Sequence, residues 1–274
     1  MRRGFASVLG PSSPMTPACK EIRRKILHTS RASGHGHIPT SFSVVEMLSA
    51  VYDTMRHDPA KPGWEERDIF ILSKGHASLG FYCVLSQYGY IPDEELKTFG
   101  AFQSRLGCHP DRLKVPGVEA STGSLGHGIA IGVGMALAFK LQGSSRKVYT
   151  LIGDGESNEG SVWEALMVAT HLQLDNLTVL YDNNRSQERS LPIPNPRERL
   201  AAFGCEAVQV NGHDLSALKK TLALKQTNVK AVVCDTVKGF PCPTLAKNVF
   251  EWHRKSPDEH QFKQLIGELD AQTV

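Results

Sequence analysis

The sequence predicts an α/β fold built on a doubly wound parallel sheet. From residue 126 onward, short apolar runs alternate with stretches of helical periodicity, and the connections between runs are long enough for crossover helices. Polar and Gly-rich residues follow the ends of several runs. Continuous apolar strands joined by crossovers are typical of parallel sheets that are covered on both faces. In such sheets ligands bind beyond the carboxyl ends of the strands.

The first 125 residues predict helices packed around one strand. A helix begins near Pro17 and carries Ile22 and Ile26 on one face. A second helix is predicted at Ser43 and Glu46, because their S-x-x-E spacing is that of a capping box. The other elements expected here are a buried strand over 68–73, helices over 76–88 and 93–103, and a Gly- and Pro-rich loop over 105–125.

The remaining residues predict the alternation that defines the fold class. A helix over 126–141 carries small residues at Gly128, Gly132 and Gly134, which predicts a close neighbour. The later elements are a strand over 147–152, a helix over 158–171, and strands over 177–181, 205–210 and 229–234. The loops after residues 73, 152, 181 and 210 are therefore expected to hold the ligand.

Composition excludes several classes of protein. With 274 residues, 41% of them hydrophobic and 22% charged, the chain is expected to bury a real core rather than to be disordered. Its longest apolar stretch, 128–141, is too short to span a membrane. A formal net charge of +3 without a basic cluster argues against a nucleic-acid partner.

The cysteines and the N-terminal residues indicate the cellular compartment of the protein. Six cysteines without a CxxC pair predict reduced thiols and a cytoplasmic protein. Residues 1–16 are basic and free of acidic residues, and their apolar run is too short for a secretory signal. We expect them to form a flexible N-terminal tail before a single domain over 17–274. A short targeting extension is the alternative.

Two polar motifs follow consecutive predicted strands. Gly153-Asp154-Gly155 ends one strand, and Asp182-Asn183-Asn184 ends the next. The 27 residues between Gly155 and Asn183 are enough for one helix and a returning strand, so the two loops are expected to be neighbours. Either motif alone is also a common turn or loop. Together they predict a site for a magnesium-bound diphosphate.

The expected roles of these residues follow from the chemistry of Mg²⁺ and phosphate. Asp154 would supply a carboxylate oxygen, Asn184 a side-chain carbonyl and Ser186 a backbone carbonyl, because Mg²⁺ takes oxygen ligands and is commonly shared with phosphates. Gly153 and Gly155 would let the backbone approach and direct N–H groups at phosphate oxygens, aided by the following helix N-terminus.

At this point the sequence resembles a known family. The GDG and NN motifs are similar to the thiamine diphosphate signature, and the surrounding motifs resemble the N-terminal, diphosphate-binding part of transketolases. The matching motifs are Ser33-Gly34-His35, Ser73-Lys74-Gly75-His76-Ala77, Gly107-Cys108-His109-Pro110, Pro116-Gly117-Val118-Glu119, Thr122-Gly123-Ser124-Leu125-Gly126-His127-Gly128, Gly153-Asp154-Gly155 with Glu159-Gly160, Asp182-Asn183-Asn184 and Trp252-His253. The resemblance implies the thiamine diphosphate-binding fold, with that cofactor and Mg²⁺ or another divalent cation such as Ca²⁺ or Mn²⁺.

Among the eleven histidines, His35, His76 and His109 each lie in a Gly-flanked loop. Loop imidazoles that converge on one pocket can bind substrate hydroxyls and move protons near neutral pH. The resemblance implies that these three, together with His253, line the channel around the thiazolium ring. It also implies that His76 contacts the cofactor. A zinc site at His35-Gly36-His37 is disfavoured, because no Cys/His pair follows at metal-site spacing.

The resemblance implies further cofactor contacts. Gly123, Ser124 and Leu125 match a loop that packs on the pyrimidine and diphosphate, although a simple turn before a helix would look the same. Glu159 matches an acidic residue that couples two active sites across a dimer, but the helix dipole alone also favours a first-turn glutamate. His213 lies in a turn that resembles a family loop near the cofactor.

A partner chain is expected from what the sequence lacks. In transketolases a glutamate on the pyrimidine ring activates thiamine diphosphate, and it belongs to a second α/β domain for which this sequence has no equivalent. The chain therefore resembles the N-terminal subunit of a split transketolase. Its partner would supply the pyrimidine-binding domain and that glutamate, in an expected α2β2 assembly. The segment 236–252 is shorter than the corresponding loop of single-chain transketolases. This difference leaves the role of His253 open.

The implied reaction is transfer of a two-carbon ketol unit from a ketose to an aldose. The substrate could be an ordinary sugar phosphate or a branched or sulfonated sugar, and the discriminating residues would lie largely on the partner. The alternatives are the alpha-type subunit of a thiamine-dependent 2-oxo acid dehydrogenase and a non-catalytic cofactor-binding homologue. A nicotinamide site is disfavoured because no GxGxxG motif follows a strand.

Overall fold

In the computed structural model, which describes residues 14–273, helices cover both faces of one parallel sheet. The strands are β1 (Ile69–Leu72), β2 (Val148–Gly153), β3 (Leu177–Asn183), β4 (Glu206–Asn211) and β5 (Lys230–Asp235), in the spatial order β1-β2-β3-β5-β4. All the neighbouring pairs are parallel. The predicted fold class is confirmed, whereas most of the tail expected over residues 1–16 lies outside the described residues.

Helices occupy the crossovers and both ends of the described chain. Their bounds are α1 (Pro17–Ser33), α2 (Ile38–Ser43), α3 (Val45–Tyr52), α4 (Ser78–Gln87), α5 (His127–Leu141), α6 (Gly160–His171), α7 (Pro196–Ala202), α8 (Leu215–Ala223), α9 (Pro243–Lys247) and α10 (Glu259–Asp270). Short 3₁₀ turns lie at Gly75–Ala77, Asp93–Thr98, Glu156–Asn158 and Glu251–His253. The turns at Gly75–Ala77 and Glu156–Asn158 follow the carboxyl ends of β1 and β2, where the ligand loops were expected.

Two hydrophobic cores cover the two faces of the sheet. One core packs residues of α1, α3, α4, α8 and α10 against Phe70, Leu151 and Val232. The other packs α5, α6 and α7 against Ile71, Val179 and the opposite face of the neighbouring strands. The six cysteines are free thiols, as their spacing predicts, and five of them are buried.

The α5 helix approaches the sheet closely because two of its glycines face it. A Cβ atom added to Gly128 would lie 2.6 Å from Ser73 Cα, and one added to Gly132 would lie 2.5 Å from Thr150 Oγ1. The close neighbour predicted from the small residues is therefore the β1–β2 edge, whereas Gly134 faces open space. Among the described helices, none combines the length and apolar character that a membrane crossing requires.

The predicted capping box at Ser43 and Glu46 is wrong. The helix α3 begins at Val45, its N-cap is Val44, and no side chain caps it. Ser43 Oγ instead donates to Asp182 Oδ2 at 2.8 Å, and Glu46 is buried against Arg23. Both side chains serve long-range contacts that a local motif cannot reveal.

The predicted helix over 93–103 is also shorter than expected. The structure has a 3₁₀ turn at Asp93–Thr98, and Gly100 and Gln103 then adopt positive φ angles of 70° and 64°. Positive φ is incompatible with a continuing right-handed helix. The following loop is therefore free to fold back beside His35, where Gly100 lies directly against the imidazole ring.

Candidate functional site

The two polar motifs meet at the carboxyl edge of the sheet. The register pairs Gly153 with Asp182, and the Asp154 N–H donates to the Asp182 carbonyl at 3.2 Å. Asp154 and Asn184 are each only 7% exposed. The loops that follow β2 and β3 are therefore neighbours, as their spacing predicts.

Oxygen atoms that could bind a metal ion dominate this edge. Asp154 Oδ1 accepts from the Gly155 N–H at 2.8 Å and Oδ2 accepts from the Gln187 N–H at 3.1 Å, while Asn184 Oδ1 accepts from the Ser186 N–H at 3.1 Å. Burial raises the pKa of Asp154, although the N–H donors oppose the shift. The described residues contain no group of three or more His, Cys, Asp and Glu suited to a metal. One carboxylate with amide and carbonyl oxygens suits a hard cation that keeps phosphates as ligands.

Asp182 is the buried centre of this edge, and the sequence analysis assigned it no role beyond its motif. Its carboxylate accepts from Ser43 Oγ (2.8 Å), Lys74 Nζ (2.5 Å), Asn184 Nδ2 (2.7 Å) and Thr236 Oγ1 (2.5 Å). Burial opposes its ionisation, but the adjacent Lys74 charge and the hydrogen bonds outweigh that and lower its pKa. Because Asp182 accepts from the amide Nδ2 of Asn184, the orientation of that amide is fixed, and its Oδ1 accepts from the N–H and the Oγ of Ser186.

Lys238 is a second site residue that sequence reasoning missed. It follows β5, is 8% exposed, and its Nζ donates to Ser186 Oγ at 2.9 Å. Burial and the nearby Lys74 charge lower its pKa to about 8, against the opposing charges of Asp154 and Asp182. Its position after the carboxyl end of a strand is the signal that could have identified it.

Three imidazoles form a cluster beside these loops. The His37 ring lies 5.5 Å from that of His76 and 4.9 Å from that of His253, and the His76 and His253 rings are 6.4 Å apart. His76 and His253 are thus brought together as the resemblance implies. The third histidine of the cluster is His37, which was considered from sequence only as one ligand of a possible zinc site with His35.

The cluster is half-buried and lies near the charges of Lys74, Lys238 and Arg254. Burial, reinforced by His253 and Arg254, lowers the pKa of His37 to about 4, and burial with the Lys74 charge lowers the pKa of His76 to about 2. Burial and Lys238 also lower the pKa of His253. These imidazoles are therefore neutral near pH 7. A half-buried pocket whose nearby cations suppress protonation in this way is suited to an anion.

His35 does not join the cluster. Its ring packs 5.2 Å from that of Phe99 and lies against Gly100, and its Nδ1 is 3.6 Å from the Cys108 sulfur. The His35 ring thus lies apart from those of His76 and His253, and its expected place in the same channel stays a prediction. Two histidines two residues apart in a Gly-rich loop cannot be told apart by sequence, because the chain turns between them.

His109 lies against the Gly123 loop. A Cβ atom added to Gly123 would lie 3.1 Å from His109 Cδ2, and one added to Gly75 would lie 2.9 Å from the Gly123 nitrogen. The charge of His109 also contributes to the lowered pKa of His37. The loops that carry His76, His109 and the predicted cofactor contacts Gly123, Ser124 and Leu125 therefore adjoin.

Glu156 holds the GDG loop in place, and the sequence analysis missed it. Its carboxylate accepts from Ser73 Oγ (2.5 Å), the Gly126 N–H (2.9 Å) and the Gly153 N–H (3.2 Å). Burial raises its pKa despite these donors. Glu156 thereby joins the end of β1, the start of α5 and the end of β2, which fixes the loops that surround the candidate site.

Of the two remaining predicted contacts, His213 is buried within the protein and Glu159 lies on its surface. His213 is buried and both ring nitrogens are engaged, Nδ1 with Glu46 Oε2 at 3.3 Å and Nε2 with the Val237 N–H at 2.9 Å. Through Val237 the His213 ring contacts the loop before Lys238, and the cofactor contact that the resemblance implies stays a prediction. Glu159 is exposed at the N-cap of α6, with no capping hydrogen bond from its side chain.

Two cavities border the loop after β3. A cavity of about 670 Å³ is lined by residues 184–189, 236–238, 246–250 and His253. Asp154 lines a neighbouring cavity of about 640 Å³ with Asn183 and residues 192–198, and Arg185, Gln187 and Glu188 line both. The first cavity is lined by Asn184, Ser186, Lys238 and His253 together. Its volume is sufficient for a cofactor and a small substrate.

Comparison with known proteins identifies relatives over nearly the whole chain. Residues 16–267 match the family described as transketolase, thiamine diphosphate binding domain. An apulose-4-phosphate transketolase subunit of Actinobacillus succinogenes is 40% identical over 260 residues, which cover 91% of this chain and 94% of that one. A 6-deoxy-6-sulfo-D-fructose transketolase subunit of a Clostridium species is 34% identical, with 92% and 94% covered.

Solved structures agree with these matches. A transketolase variant from Pichia stipitis superposes with a TM-score of 0.85 at 31% identity, and the transketolase of Leishmania mexicana with 0.84 at 29%. The match covers 92% of this chain but only 40% of the Pichia chain. The chain thus spans about two fifths of the length of the solved transketolases. It spans nearly the full length of the two relatives that are named as transketolase subunits. The matches favour the transketolase interpretation over a 2-oxo acid dehydrogenase.

Proposed function

Because the chain belongs to the transketolase family, we propose that it is the thiamine diphosphate-binding subunit of a two-chain transketolase. The observation that carries the proposal is the buried edge where the oxygen donors of Asp154, Asn184 and Ser186 adjoin Lys238 and a cluster of neutral imidazoles. Such an edge combines ligands for a hard cation with positive potential for a diphosphate.

The residues present fit the implied cation and cofactor. Asp154, the side-chain oxygen of Asn184 and the backbone carbonyl of Ser186 would hold Mg²⁺, or Ca²⁺ or Mn²⁺ in its place. Gly153 and Gly155 would let backbone N–H groups approach the diphosphate. Thiamine diphosphate, when bound, supplies the carbon nucleophile and electron sink that breaking a carbon–carbon bond requires.

The chain's own residues bind and orient the substrate and move protons. Neutral His37, His76 and His253 can each donate from one ring nitrogen and accept at the other, so they suit the hydroxyl and carbonyl oxygens of a sugar. His109, on the adjoining loop, extends this set toward Gly123. We assign the substrate-facing role to His37 rather than His35.

The remaining cofactor contacts are proposals on the same basis. Gly123, Ser124 and Leu125 would pack on the cofactor rings, supported by their approach to the His76 loop. Glu159 would couple two sites across an assembly, supported by its exposure at the start of α6. Lys238 would bind diphosphate or substrate oxygens with its charged amine.

A partner chain would supply the pyrimidine-binding domain and the activating glutamate. The names of the two reported relatives, each a transketolase subunit of nearly the same length, support this division. We propose an α2β2 assembly in the cytoplasm, acting on sugar or sugar-phosphate substrates. The assembled enzyme would move a ketol unit from a ketose, either a phosphate or a modified sugar, to an aldose.

The test is reconstitution. The chain should show no ketol transfer alone and should gain activity when mixed with a C-terminal transketolase subunit, thiamine diphosphate and Mg²⁺, in a coupled assay with a ketose phosphate donor. The Asp154→Ala variant should lose cofactor binding in calorimetry, because it removes the only carboxylate proposed to bind the cation. Full activity of the isolated chain would refute the two-chain proposal. Unchanged cofactor binding by the variant would refute the cation site.

A further inference from the structure

We propose that Arg23, Glu46 and His213 form a buried chain of contacts that positions Lys238 in the site. The role of Lys238 as an anion-binding group rests on the proposed function, whereas the positioning is a property of the fold. These three residues would act as positioning residues, because none of them reaches the site directly.

The chain of contacts begins with an ion pair between α1 and α3. Arg23 is fully buried and Glu46 is 2% exposed, and two hydrogen bonds of 2.6 and 2.8 Å join the guanidinium to the carboxylate. Arg23 also donates to the carbonyls of Phe42 (3.0 Å) and Phe240 (3.2 Å). A buried pair of charges needs such additional partners, since desolvation otherwise exceeds its attraction.

His213 extends the chain of contacts to the loop after β5. Its Nε2 accepts from the Val237 N–H, so the ring proton lies on Nδ1 and is directed at Glu46. The ring also stacks on Phe240, with 4.2 Å between centroids and 30° between planes. The segment 237–240 is therefore held at its first N–H by His213 and at its last carbonyl by Arg23.

Lys238 lies between these two anchors. The following Gly239 has a φ of +89° and donates its N–H to the Pro39 carbonyl at 3.2 Å, which bends the segment beneath α2. Lysine has a flexible stem, and holding its amine on Ser186 costs conformational entropy. Fixing the backbone on both sides of Lys238 lowers that cost before any ligand arrives.

A merely structural role for these contacts predicts a different outcome. If Arg23, Glu46 and His213 only joined α1 to α3, their loss would lower global stability without loosening residues 237–240 in particular. The matched control is His57, whose ring nitrogens contact Tyr90 Oη (3.0 Å) and the Tyr52 carbonyl (2.9 Å) and whose ring stacks on Tyr90, away from the site.

The first experiment is limited trypsin digestion of the full-length chain under native conditions. Cleavage after Lys238 is measured by mass spectrometry relative to cleavage after the exposed Lys225. The H213F variant, which cannot accept from Val237, should be cleaved after Lys238 about tenfold faster than the wild type. H213Q should restore slow cleavage because its side-chain oxygen can replace Nε2, and H57F should resemble the wild type.

The second experiment is a double-variant cycle on thiamine diphosphate affinity, measured by calorimetry with Mg²⁺ and the partner subunit. H213F should weaken binding about tenfold in the wild-type background and leave it nearly unchanged in K238M. If His213 acts through Lys238, its effect disappears once Lys238 is gone.

The outcomes separate this inference from the proposed function. Unchanged cleavage after Lys238 in H213F, or an equal rise in H57F, would overturn the positioning role, and so would additive effects in the cycle. If H213F unfolds, H213Q decides the matter, since fast cleavage in that variant would also overturn the role. A wild type that binds no thiamine diphosphate would overturn the proposed function, while the digestion would still test the positioning.

Discussion

At the scale of residues, the identity of the histidine in the cluster decides the chemistry. His37 and His35 are two residues apart and have similar sequence surroundings, yet only His37 contacts the His76 and His253 rings. The His35 ring lies against Phe99 and near the Cys108 sulfur instead. We propose that a neutral imidazole within the cluster exchanges protons with the substrate, and that His35, outside the cluster, does not.

We expect His37→Gln to lower kcat of the assembled enzyme by at least about 100-fold, because proton transfer by a positioned group contributes roughly that much. His35→Gln, the matched control, should change kcat by less than about threefold. Both variants are measured with the partner subunit by steady-state ketol transfer. Equal losses in the two variants, or a larger loss in His35→Gln, would contradict the assignment.

At the scale of elements, buried carboxylates join segments that are distant in sequence. Asp182 ties β3 to Ser43 at the end of α2 and to Lys74 after β1. Glu156 ties the end of β2 to Ser73 after β1 and to Gly126 before α5. Glu46 joins α3 to α1 through Arg23. The ion pairs Lys74–Asp182 and Arg23–Glu46 stabilise the fold only while both partners keep their charge, so these contacts respond to pH.

We expect the free energy of unfolding to depend on the ionisation of Glu46. Burial opposes its charge, but Arg23 and His213 outweigh burial and lower its pKa to about 2, from an ordinary value of 4.5. A lowered folded-state pKa means that the stabilisation is complete above pH 4.5 and is lost as the pH falls toward 2. The shift corresponds to about 3 kcal/mol.

Urea unfolding between pH 3 and pH 7 measures this effect. Glu46→Gln should flatten the acid side of the stability profile, since the variant has no carboxylate to protonate. Asp270→Asn, which breaks the exposed pair with Arg24, should leave the profile close to that of the wild type. A Glu46→Gln profile that is parallel to the wild type would exclude Glu46 as the titrating group.

At the scale of the whole molecule, the outer face of α5 is unusually apolar. Residues 128–139 contain no polar side chain, yet Ala130, Ile131, Gly134, Ala138 and Leu141 are exposed on one side of the helix. A helix that is apolar all round is normally buried. Exposed Met167 and Val168 lie on α6, which packs beside α5. This outer face of α5 supports the proposed α2β2 assembly, in which we expect it to meet a second copy of the chain.

We expect Ile131→Asp to disrupt that contact and reduce the mass of the assembly, because a carboxylate would then be buried without a partner. Light scattering coupled to size exclusion, at micromolar concentrations with the partner subunit present, measures the mass. Leu224→Asp is the control, since Leu224 is 58% exposed but lies at the end of α8. An unchanged mass for Ile131→Asp would exclude this face as the interface.

Local pattern was enough to predict the sheet and the cation motif. Apolar runs identified all five strands to within two residues, and the spacing between Gly155 and Asn183 predicted neighbouring loops. Local pattern failed where a side chain serves a distant partner. Ser43 and Glu46 look like a cap but bind Asp182 and Arg23, and the partners of Glu156 lie as far away as Ser73.

The sequence by itself determined the α/β class, the family resemblance and the GDG and NN residues, because strand periodicity and motif spacing are local properties of the chain. Only the tertiary structure places the ring of His37, and not that of His35, beside His76 and His253, joins Lys238 to Ser186, and puts His213 against the segment that carries Lys238. These arrangements depend on the direction of side chains after a turn and on contacts between distant residues, such as His37 and His253, which are 216 positions apart. Direction and long-range contact arise only when the elements pack.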